Sequence, residues 1–213
     1  MKIGKISDKR FDYGSYSDVS GTNLGYYNNN NIEYAKISSI FDMSETRNKM
    51  LSYGVPEGGK ILDAGCGAGC DTIKFGEQGY KVTSFDGSEG MVEVCKEKGI
   101  PCIHKDFLSI DFKNEFDAVW ASASLLHLPY EAFEPAIANL TAALKPEGIF
   151  YFSIKKLENG FLEDSQGRLF YNPGQERLDE IFKNQGLSLL DTWESGKQND
   201  PNQVFVSYIL KKN

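Results

Sequence analysis

The sequence Lys60-Ile61-Leu62-Asp63-Ala64-Gly65-Cys66-Gly67-Ala68-Gly69 carries the strongest structural signal in this chain. A short apolar run leads into three alternating glycines, and a helical pattern begins near Asp71. A glycine-rich turn between a strand and a helix lets backbone amides approach a ligand closely, while the helix N-terminus supplies positive potential. The stretch therefore predicts a first strand–turn–helix unit with a ligand site at its turn.

Short apolar runs continue to alternate with helical stretches on the C-terminal side. Strands are predicted at 61–62, 82–85, 100–103, 116–121 and 149–154, and helices at 71–78, 89–98, 131–144 and 177–184. The last two apolar runs, 187–193 and 204–210, have no helix-length segment between them and should pair as an antiparallel hairpin. The fold class is thus α/β: a doubly wound, seven-stranded, mostly parallel sheet with a C-terminal antiparallel hairpin and helices on both faces.

The N-terminal part of the chain has a different composition. Residues 12–31 are rich in Ser, Gly, Tyr and Asn and end in a run of four asparagines. Such a stretch favours turns and buries little, so residues 1–45 are expected to form an arm or lid of the same domain. Its aromatic candidates are Tyr26, Tyr27 and Tyr34, with ordinary surface anchoring as the alternative. The ligand-binding domain is expected over residues 46–213, with an insertion at about 156–174.

Composition and charge limit the partners. The chain has 213 residues, a formal net charge of -7 and no basic run, which argues against nucleic acid because phosphate neutralisation supplies most non-specific affinity for it. It contains no apolar run near the roughly 18 residues that a membrane span requires. Its first residues lack the apolar core of a secretory signal. We expect a cytoplasmic protein, as a monomer or homodimer, without a membrane partner.

The four cysteines are Cys66, Cys70, Cys95 and Cys102. The single C-x3-C pair has no second pair, and neither histidine forms a ligand cluster with the cysteines in the sequence, so no zinc spacing is present. We expect reduced cysteines with packing or loop roles, and no metal site.

A carboxylate follows the glycine turn at an informative distance. Asp86 ends the next predicted strand 21 residues after Gly65 (86 − 65), where a carboxylate that binds a ribose diol belongs. The dinucleotide fingerprint G-x-G-x-x-G would need glycine at 70 or 72, where Cys70 and Thr72 stand. The spacing therefore disfavours a nicotinamide-dependent dehydrogenase.

Residues 61–69 resemble motif I of the class I S-adenosylmethionine-dependent methyltransferases. The resemblance extends in order through residues 82–91, 104–107, 116–129 and 144–148. It covers about residues 45–155 and is looser on either side. It implies S-adenosylmethionine as cofactor, S-adenosylhomocysteine as product, and transfer of the methyl group to a small-molecule acceptor by in-line displacement.

The resemblance also implies a set of cofactor-binding residues. In it, Asp86 accepts the ribose hydroxyls, Asp106 meets the adenine amino group, and Met91 or Phe107 contacts the adenine ring. The two aspartates could instead be turn or helix caps, and Met91 could be plain core. The full set is Asp63, Gly65, Cys66, Gly67, Asp86, Gly87, Ser88, Met91, Asp106, Phe107, Ala121 and Leu126.

Three residues are candidates for the catalytic side. His127 follows the fourth predicted strand and is either a general base or a structural histidine. Tyr27 belongs to the expected lid. Arg168 lies in the insertion, which resembles that of small bacterial methyltransferases of the tellurite-resistance type. It could bind an anionic acceptor or make surface ion pairs. The N-terminal arm has no clear counterpart in that subgroup.

Two other functions stay open at this point. An acidic surface could attract a basic protein substrate, which would make the chain a protein methyltransferase. A non-catalytic module that only binds S-adenosylmethionine would keep Asp86 and Asp106 without turnover.

Overall fold

A computed structural model describes residues 16–157, 160–196 and 203–213. The helices are α1 (Tyr16–Asn29), α2 (Asn31–Ser38), α3 (Ser44–Leu51), α4 (Cys70–Glu77), α5 (Glu89–Glu97), α6 (Tyr130–Ala143) and α7 (Gln175–Asn184), with a 3-10 helix at Leu125–His127. The strands are β1 (Lys60–Ala64), β2 (Lys81–Asp86), β3 (Ile103–His104), β4 (Phe116–Ala121), β5 (Leu144–Lys155), β6 (Phe161–Glu163), β7 (Leu169–Tyr171), β8 (Leu187–Gly196) and β9 (Val204–Lys212).

Seven strands form one sheet in the order β3-β2-β1-β4-β5-β9-β8. Strands β1 to β5 are parallel, whereas β9 runs antiparallel to both β5 and β8. The predicted fold class, including the C-terminal hairpin, is confirmed. From β1 the chain first adds β2 and β3 on one side, and it then returns to add β4 and β5 on the other side. The strand order therefore reverses between β1 and β4, which is a topological switch point. Ligands bind at such a switch, beyond the carboxyl ends of the strands.

Alternate residues along β1 anchor two separate cores. Leu62 belongs to one core with Ile137 of α6 and Leu178 of α7. Ile61 belongs to the other with Phe75 of α4. Both β1 residues are fully buried. The period of two that places successive side chains on opposite faces therefore produces a sheet covered by helices on both sides.

The third strand is shorter than predicted. Residues 100–103 were expected to be extended, but only Ile103 and His104 pair with β2. The N–H of Ile100 donates to Cys95 O and so still closes the end of α5. Pro101 has no N–H for the ladder, and its carbonyl accepts the hydroxyl of Ser84 instead (2.7 Å).

The N-terminal segment differs most from the prediction. A turn-rich segment was expected over residues 12–31, but residues 16–29 form helix α1, so that prediction is wrong for this part; residues 1–15 lie outside the described residues. The helix is stabilised from outside. Asn23 is buried, and its amide donates to His127 O (3.2 Å) and Leu169 O (3.1 Å) while its oxygen accepts Leu169 N–H (2.8 Å). Tertiary contacts thus override the weak local helix preference of this stretch.

The predicted insertion contains a small hairpin. Strands β6 and β7 pair antiparallel, with Leu162 opposite Phe170. Phe170 is buried and belongs to the core that includes α6 and α7. The hairpin therefore presents β7 to α1 and to the 3-10 helix, which brings residues 168–170 to the N-terminal helices.

Replacing Asn23 by Ala should reduce the free energy of unfolding by about 2 kcal/mol, since the substitution leaves buried backbone groups of β7 and the 3-10 helix unpaired. Asn29→Ala is the matched control, because Asn29 is an exposed asparagine of the same helix, and its effect should stay below about 0.5 kcal/mol. Urea unfolding followed by circular dichroism measures both. Equal losses in the two variants would contradict the anchoring role of Asn23.

Candidate functional site

The turn after β1 has a backbone that glycine permits. Gly65, Gly67 and Gly69 have φ angles of 73°, 54° and 76°, in the left-handed region that other residues rarely adopt. At Gly65 space is limiting as well, because a Cβ there would lie 2.6 Å from the Cβ of Ser124. The N–H groups of Gly65 and Cys66 both donate to Phe85 O, at 2.9 and 3.0 Å. The turn is thus held against the end of β2.

Asp86 joins this turn to the start of α5. Its Oδ2 accepts the N–H of Gly67 and its Oδ1 accepts the N–H of Ser88, each at 2.8 Å. Burial raises the pKa of Asp86 to about 6, against the lowering effect of these two hydrogen bonds. Each carboxylate oxygen has a further lone pair, so both can accept another donor.

Asp63 lies beneath the turn and does not line it. It is 2 % exposed, and its Oδ2 accepts the hydroxyl of Thr72 at 2.6 Å, which ties β1 to α4. Burial, with the nearby charge of Asp71 second, raises its pKa well above the ordinary value. Asp71 in turn accepts Trp120 Nε1–H (2.9 Å) and forms an ion pair with Arg47. Nothing local in the sequence marks Arg47 as the partner of a residue 24 positions away, so this ion pair cannot be predicted from the sequence.

The predicted adenine-side residues are placed unevenly. Phe107 packs edge-to-face on Phe85 (5.3 Å between centroids) and reaches Gly65, where its Cζ would lie 3.2 Å from a Cβ. Asp106 uses Oδ1 within its own turn, accepting the N–H groups of Leu108 (2.9 Å) and Ser109 (2.8 Å). The turn-cap geometry that the sequence left open is therefore present at Asp106.

Other predicted residues surround the switch between β1 and β4. Ser88 caps α5, its hydroxyl accepting the N–H of Met91 at 3.2 Å. Met91 itself is buried beside Ala68 and Val94, with Tyr27 and Tyr34 packed on that group. Two further predicted residues, Ala121 at the end of β4 and Leu126 in the 3-10 helix, are both buried.

Helices α1 and α2 sit directly on the first turn of α5. Asn28 Oδ1 accepts the Ser88 hydroxyl (2.8 Å) and the Gly90 N–H (3.0 Å), and Asn31 Nδ2 donates to Gly90 O (3.1 Å). A Cβ on Gly90 would lie 2.9 Å from Asn28 Cα, so glycine is needed for this approach. Gly87 meets the same helix through Leu24. The asparagine run, which suggested turns, supplies contacts at the N-terminus of α5.

His127 forms a hydrogen-bonded pair with Tyr27. Its Nδ1–H donates to Leu169 O (2.9 Å), which leaves Nε2 to accept the Tyr27 hydroxyl (2.7 Å). Burial lowers the pKa of His127 to about 4. Burial also raises the pKa of Tyr27 well above its ordinary value. Both groups are therefore neutral near pH 7, and the ring of Tyr27 packs edge-on against Tyr34 at 4.8 Å.

Arg168 lies next to this pair, within the hairpin. Its Nε–H donates to Asp164 Oδ2 at 2.8 Å, and a second guanidinium nitrogen is 2.7 Å from the same oxygen. The guanidinium also lies over the ring of Tyr26, 5.0 Å from its centroid. The ion pair that the sequence left open is present, although it is partly buried beneath α1.

The cysteines that meet in space are not the pair that is close in sequence. The Sγ atoms of Cys66, Cys95 and Cys102 all lie within 4.8 Å of one another, and those of Cys66 and Cys102 are 3.3 Å apart. Cys70 lies outside this group, at the start of α4. All four are free thiols. Hydrogen bonds with Cys102 and Cys66 lower the pKa of Cys95.

The sequence profile of the methyltransferase domain family matches residues 61–148. YqeM of Bacillus subtilis strain 168, a provisionally assigned methyltransferase, is 33 % identical over 115 residues, covering 50 % of this chain and 46 % of that protein. Demethylmenaquinone methyltransferase of Staphylococcus aureus is 31 % identical over 131 residues, covering 55 % of this chain and 53 % of that protein. The chain therefore spans about half the length of these curated relatives.

A solved structure extends the likeness to nearly the whole chain. The Burkholderia thailandensis 1,6-didemethyltoxoflavin-N1-methyltransferase, crystallised with 1,6-didemethyltoxoflavin and S-adenosylhomocysteine, superposes with a TM-score of 0.73 at 18 % identity. The match covers 94 % of this chain and 91 % of that one. The chain thus has the fold of the class I methyltransferases, and residues 61–148 match the methyltransferase domain family. Among the described residues, no helix has both the length and the apolar content needed to cross a bilayer.

His127 should stay neutral down to about pH 4, the value to which burial lowers its pKa. The unfolded chain binds this proton near pH 6.5, so lowering the pH from 6.5 to 4 favours unfolding through this group, by about 2–3 kcal/mol. Asp86 acts in the opposite direction, because its raised pKa favours the folded state on acidification. The difference in unfolding free energy between the wild type and His127→Gln, measured against pH, isolates the histidine. A pH-independent difference would refute the neutral, buried imidazole.

Proposed function

We propose that the chain is an S-adenosylmethionine-dependent methyltransferase that acts on a small-molecule acceptor. The observation that carries this proposal is the placement of Asp86. Its carboxylate is held by N–H groups of Gly67 and Ser88, where the left-handed glycine turn meets α5 beyond the carboxyl ends of β1 and β2. The family match over residues 61–148 and the S-adenosylhomocysteine in the toxoflavin enzyme support the same cofactor.

The residues around the turn fit the parts of S-adenosylmethionine. Asp86 would accept the ribose hydroxyls with the free lone pairs of its two oxygens. Phe107 offers an aromatic surface to the adenine and Asp106 a carboxylate to its amino group, while Met91, buried beside Ala68, packs behind the same region. Gly65 and Ala121 offer backbone carbonyls to the ammonium. When bound, the cofactor supplies a methyl group on a positively charged sulfur, already activated for displacement.

The protein's own task would be alignment and exclusion of water. The first 45 residues would act as the lid; of these, α1 and α2 already contact α5 through Asn28 and Asn31. Tyr27 and Tyr34 are the lid aromatics at the turn, beside Ala68 and Met91.

We assign His127 the structural role among the two that the sequence left open. A general base works best when its pKa is near the working pH, whereas burial lowers that of His127 to about 4. Its Nε2 lone pair is also used by the Tyr27 hydroxyl. His127 is thus a positioning residue for Tyr27. Arg168 would support the lid through its contact with the ring of Tyr26. Its guanidinium, now paired with Asp164, would bind an anionic acceptor in place of that carboxylate.

Two relatives support a small-molecule acceptor. Their names give demethylmenaquinone and 1,6-didemethyltoxoflavin as the molecules they methylate or bind. The net charge of -7 disfavours a polyanionic substrate. It also disfavours an anionic acceptor, unless that acceptor binds close to Arg168.

S-adenosylhomocysteine should raise the melting temperature of the protein, and NAD should not, because the turn lacks glycine at 70 and 72. Asp86→Ala should weaken S-adenosylhomocysteine binding by about 2 kcal/mol, or roughly thirtyfold, through loss of charge-assisted hydrogen bonds. Isothermal titration calorimetry measures the change. Asp179→Ala is the control, since Asp179 is an exposed aspartate of α7, and it should bind as the wild type does. Binding of NAD alone would reject the cofactor assignment.

Incubation with isotopically heavy-methyl S-adenosylmethionine and cell extract should label a small metabolite, detected by mass spectrometry.

With that acceptor, Tyr27→Phe and His127→Ala should lower kcat to a similar extent, as much as about a hundredfold, because each disturbs the same alignment. The double variant should lose little more than either alone. A much larger loss for His127→Ala than for Tyr27→Phe would restore the general base. Labelled protein, or cofactor binding without any labelled product, would point to the two alternative functions.

A further inference from the structure

The group formed by Cys66, Cys95 and Cys102 has a geometry that packing alone does not require. The three residues come from different elements: the turn after β1, helix α5 and the segment before β3. Their Sγ atoms nevertheless converge within 4.8 Å of one another. We refer to these residues as the cysteine triad.

We propose that the cysteine triad binds a thiophilic metal ion through three sulfur ligands. This inference goes beyond the proposed function and does not depend on it. Sulfur ligands on a tetrahedral zinc ion, with bonds of about 2.3 Å, lie about 3.8 Å apart. The separation of Cys66 and Cys102, 3.3 Å, is slightly shorter than this distance, and the other two separations are no longer than 4.8 Å. Shifts of about 1 Å or less in the sulfurs would complete the site.

The chemistry of the donors selects the class of ion. The triad offers three sulfurs, and no carboxylate or imidazole of the described residues joins the same group, so it suits soft or borderline cations such as Zn²⁺, Cd²⁺ or Cu⁺ rather than Mg²⁺ or Ca²⁺. Binding of a divalent ion releases the three thiol protons to solvent and forms three metal–sulfur bonds, leaving a net charge of −1 on the site. Lys98, whose Nζ donates to Ala68 O at 3.0 Å, is a cation close enough to act on Cys95 and offsets part of this charge, whereas the nearby carboxylate of Asp86 adds to it.

The surroundings allow both the metal-free and the metal-bound state. Without a metal, the thiols of Cys95 and Cys66 donate to Gly67 O at 3.2 and 3.6 Å. Cys95 is fully buried, whereas Cys66 and Cys102 are partly exposed, so an ion can enter from their side. Three protein ligands leave a fourth coordination position for water or another ligand.

Cadmium is the probe, because its bonds to thiolates absorb in the near ultraviolet while free thiols do not. The 213-residue chain is reduced, treated with EDTA, desalted and titrated with Cd²⁺. We expect the charge-transfer absorbance to saturate at about one ion per chain, and Mg²⁺ to produce none. Cys66→Ser, Cys95→Ser and Cys102→Ser should each lose stoichiometric binding. Cys70→Ser should titrate as the wild type does, since Cys70 is the cysteine outside the triad.

Because Cys95 is buried, circular dichroism must show that the Cys95→Ser variant folds. Cys102 is partly exposed, so Cys102→Ser is the decisive variant. A second measurement needs no variant: Zn²⁺ should protect Cys66 and Cys102 of the wild type from alkylation by iodoacetamide, with Cys70 as the internal reference. Absorbance equal in the wild type and Cys102→Ser would overturn the proposal. Failure of the reduced wild type to bind Cd²⁺ would also overturn it. If that protein instead formed a Cys66–Cys102 disulfide when treated with peroxide, these two cysteines would be a redox pair and Cys95 a packed neighbour.

Discussion

Two backbone N–H groups, from Gly67 and Ser88, converge on the carboxylate of Asp86. One belongs to the turn after β1 and the other to the start of α5, so this single side chain fixes the separation of the two walls of the site. The turn can reach it because Gly65, Gly67 and Gly69 adopt left-handed φ angles. Desolvation raises the pKa of this partly buried carboxylate to about 6. The same low-dielectric surroundings strengthen its hydrogen bonds, so removal of the carboxylate should be strongly destabilising.

The N-terminal helices depend on the same region. Asn28 binds Ser88 and Gly90 at the first turn of α5, while Asn23 binds the backbone of β7 and of the 3-10 helix. The helices therefore span from the Asp86 side of the site to the His127 side. This explains why a segment of Ser, Gly, Tyr and Asn is helical: its hydrogen-bonding side chains satisfy groups of other elements, which local sequence statistics do not register.

Several polar groups that are buried or partly buried lie at the carboxyl end of β1 and around it. Asp63 is buried against Thr72, Asp71 pairs with Arg47, and His127 is neutral between Leu169 and Tyr27. The cysteine triad lies under the same turn, with Gly67 O next to two of its sulfurs. Titratable groups with shifted pKa values cluster at functional sites, and this supports a functional centre at the switch between β1 and β4.

The sequence by itself determined the sheet, its order of strand and helix, the C-terminal hairpin and the glycine turn with Asp86 at its side. These follow from apolar periodicity and from backbone angles that only certain residues adopt, and both are local properties. Tertiary structure alone decided the rest. It made α1 a helix, shortened β3 at Pro101, and placed Arg47 on Asp71. It gave Asp106 a turn-cap role, paired His127 with Tyr27, and brought Cys66 to Cys95 and Cys102 rather than to Cys70. Each of these depends on contacts between residues distant in sequence, whose geometry is set only when the elements pack.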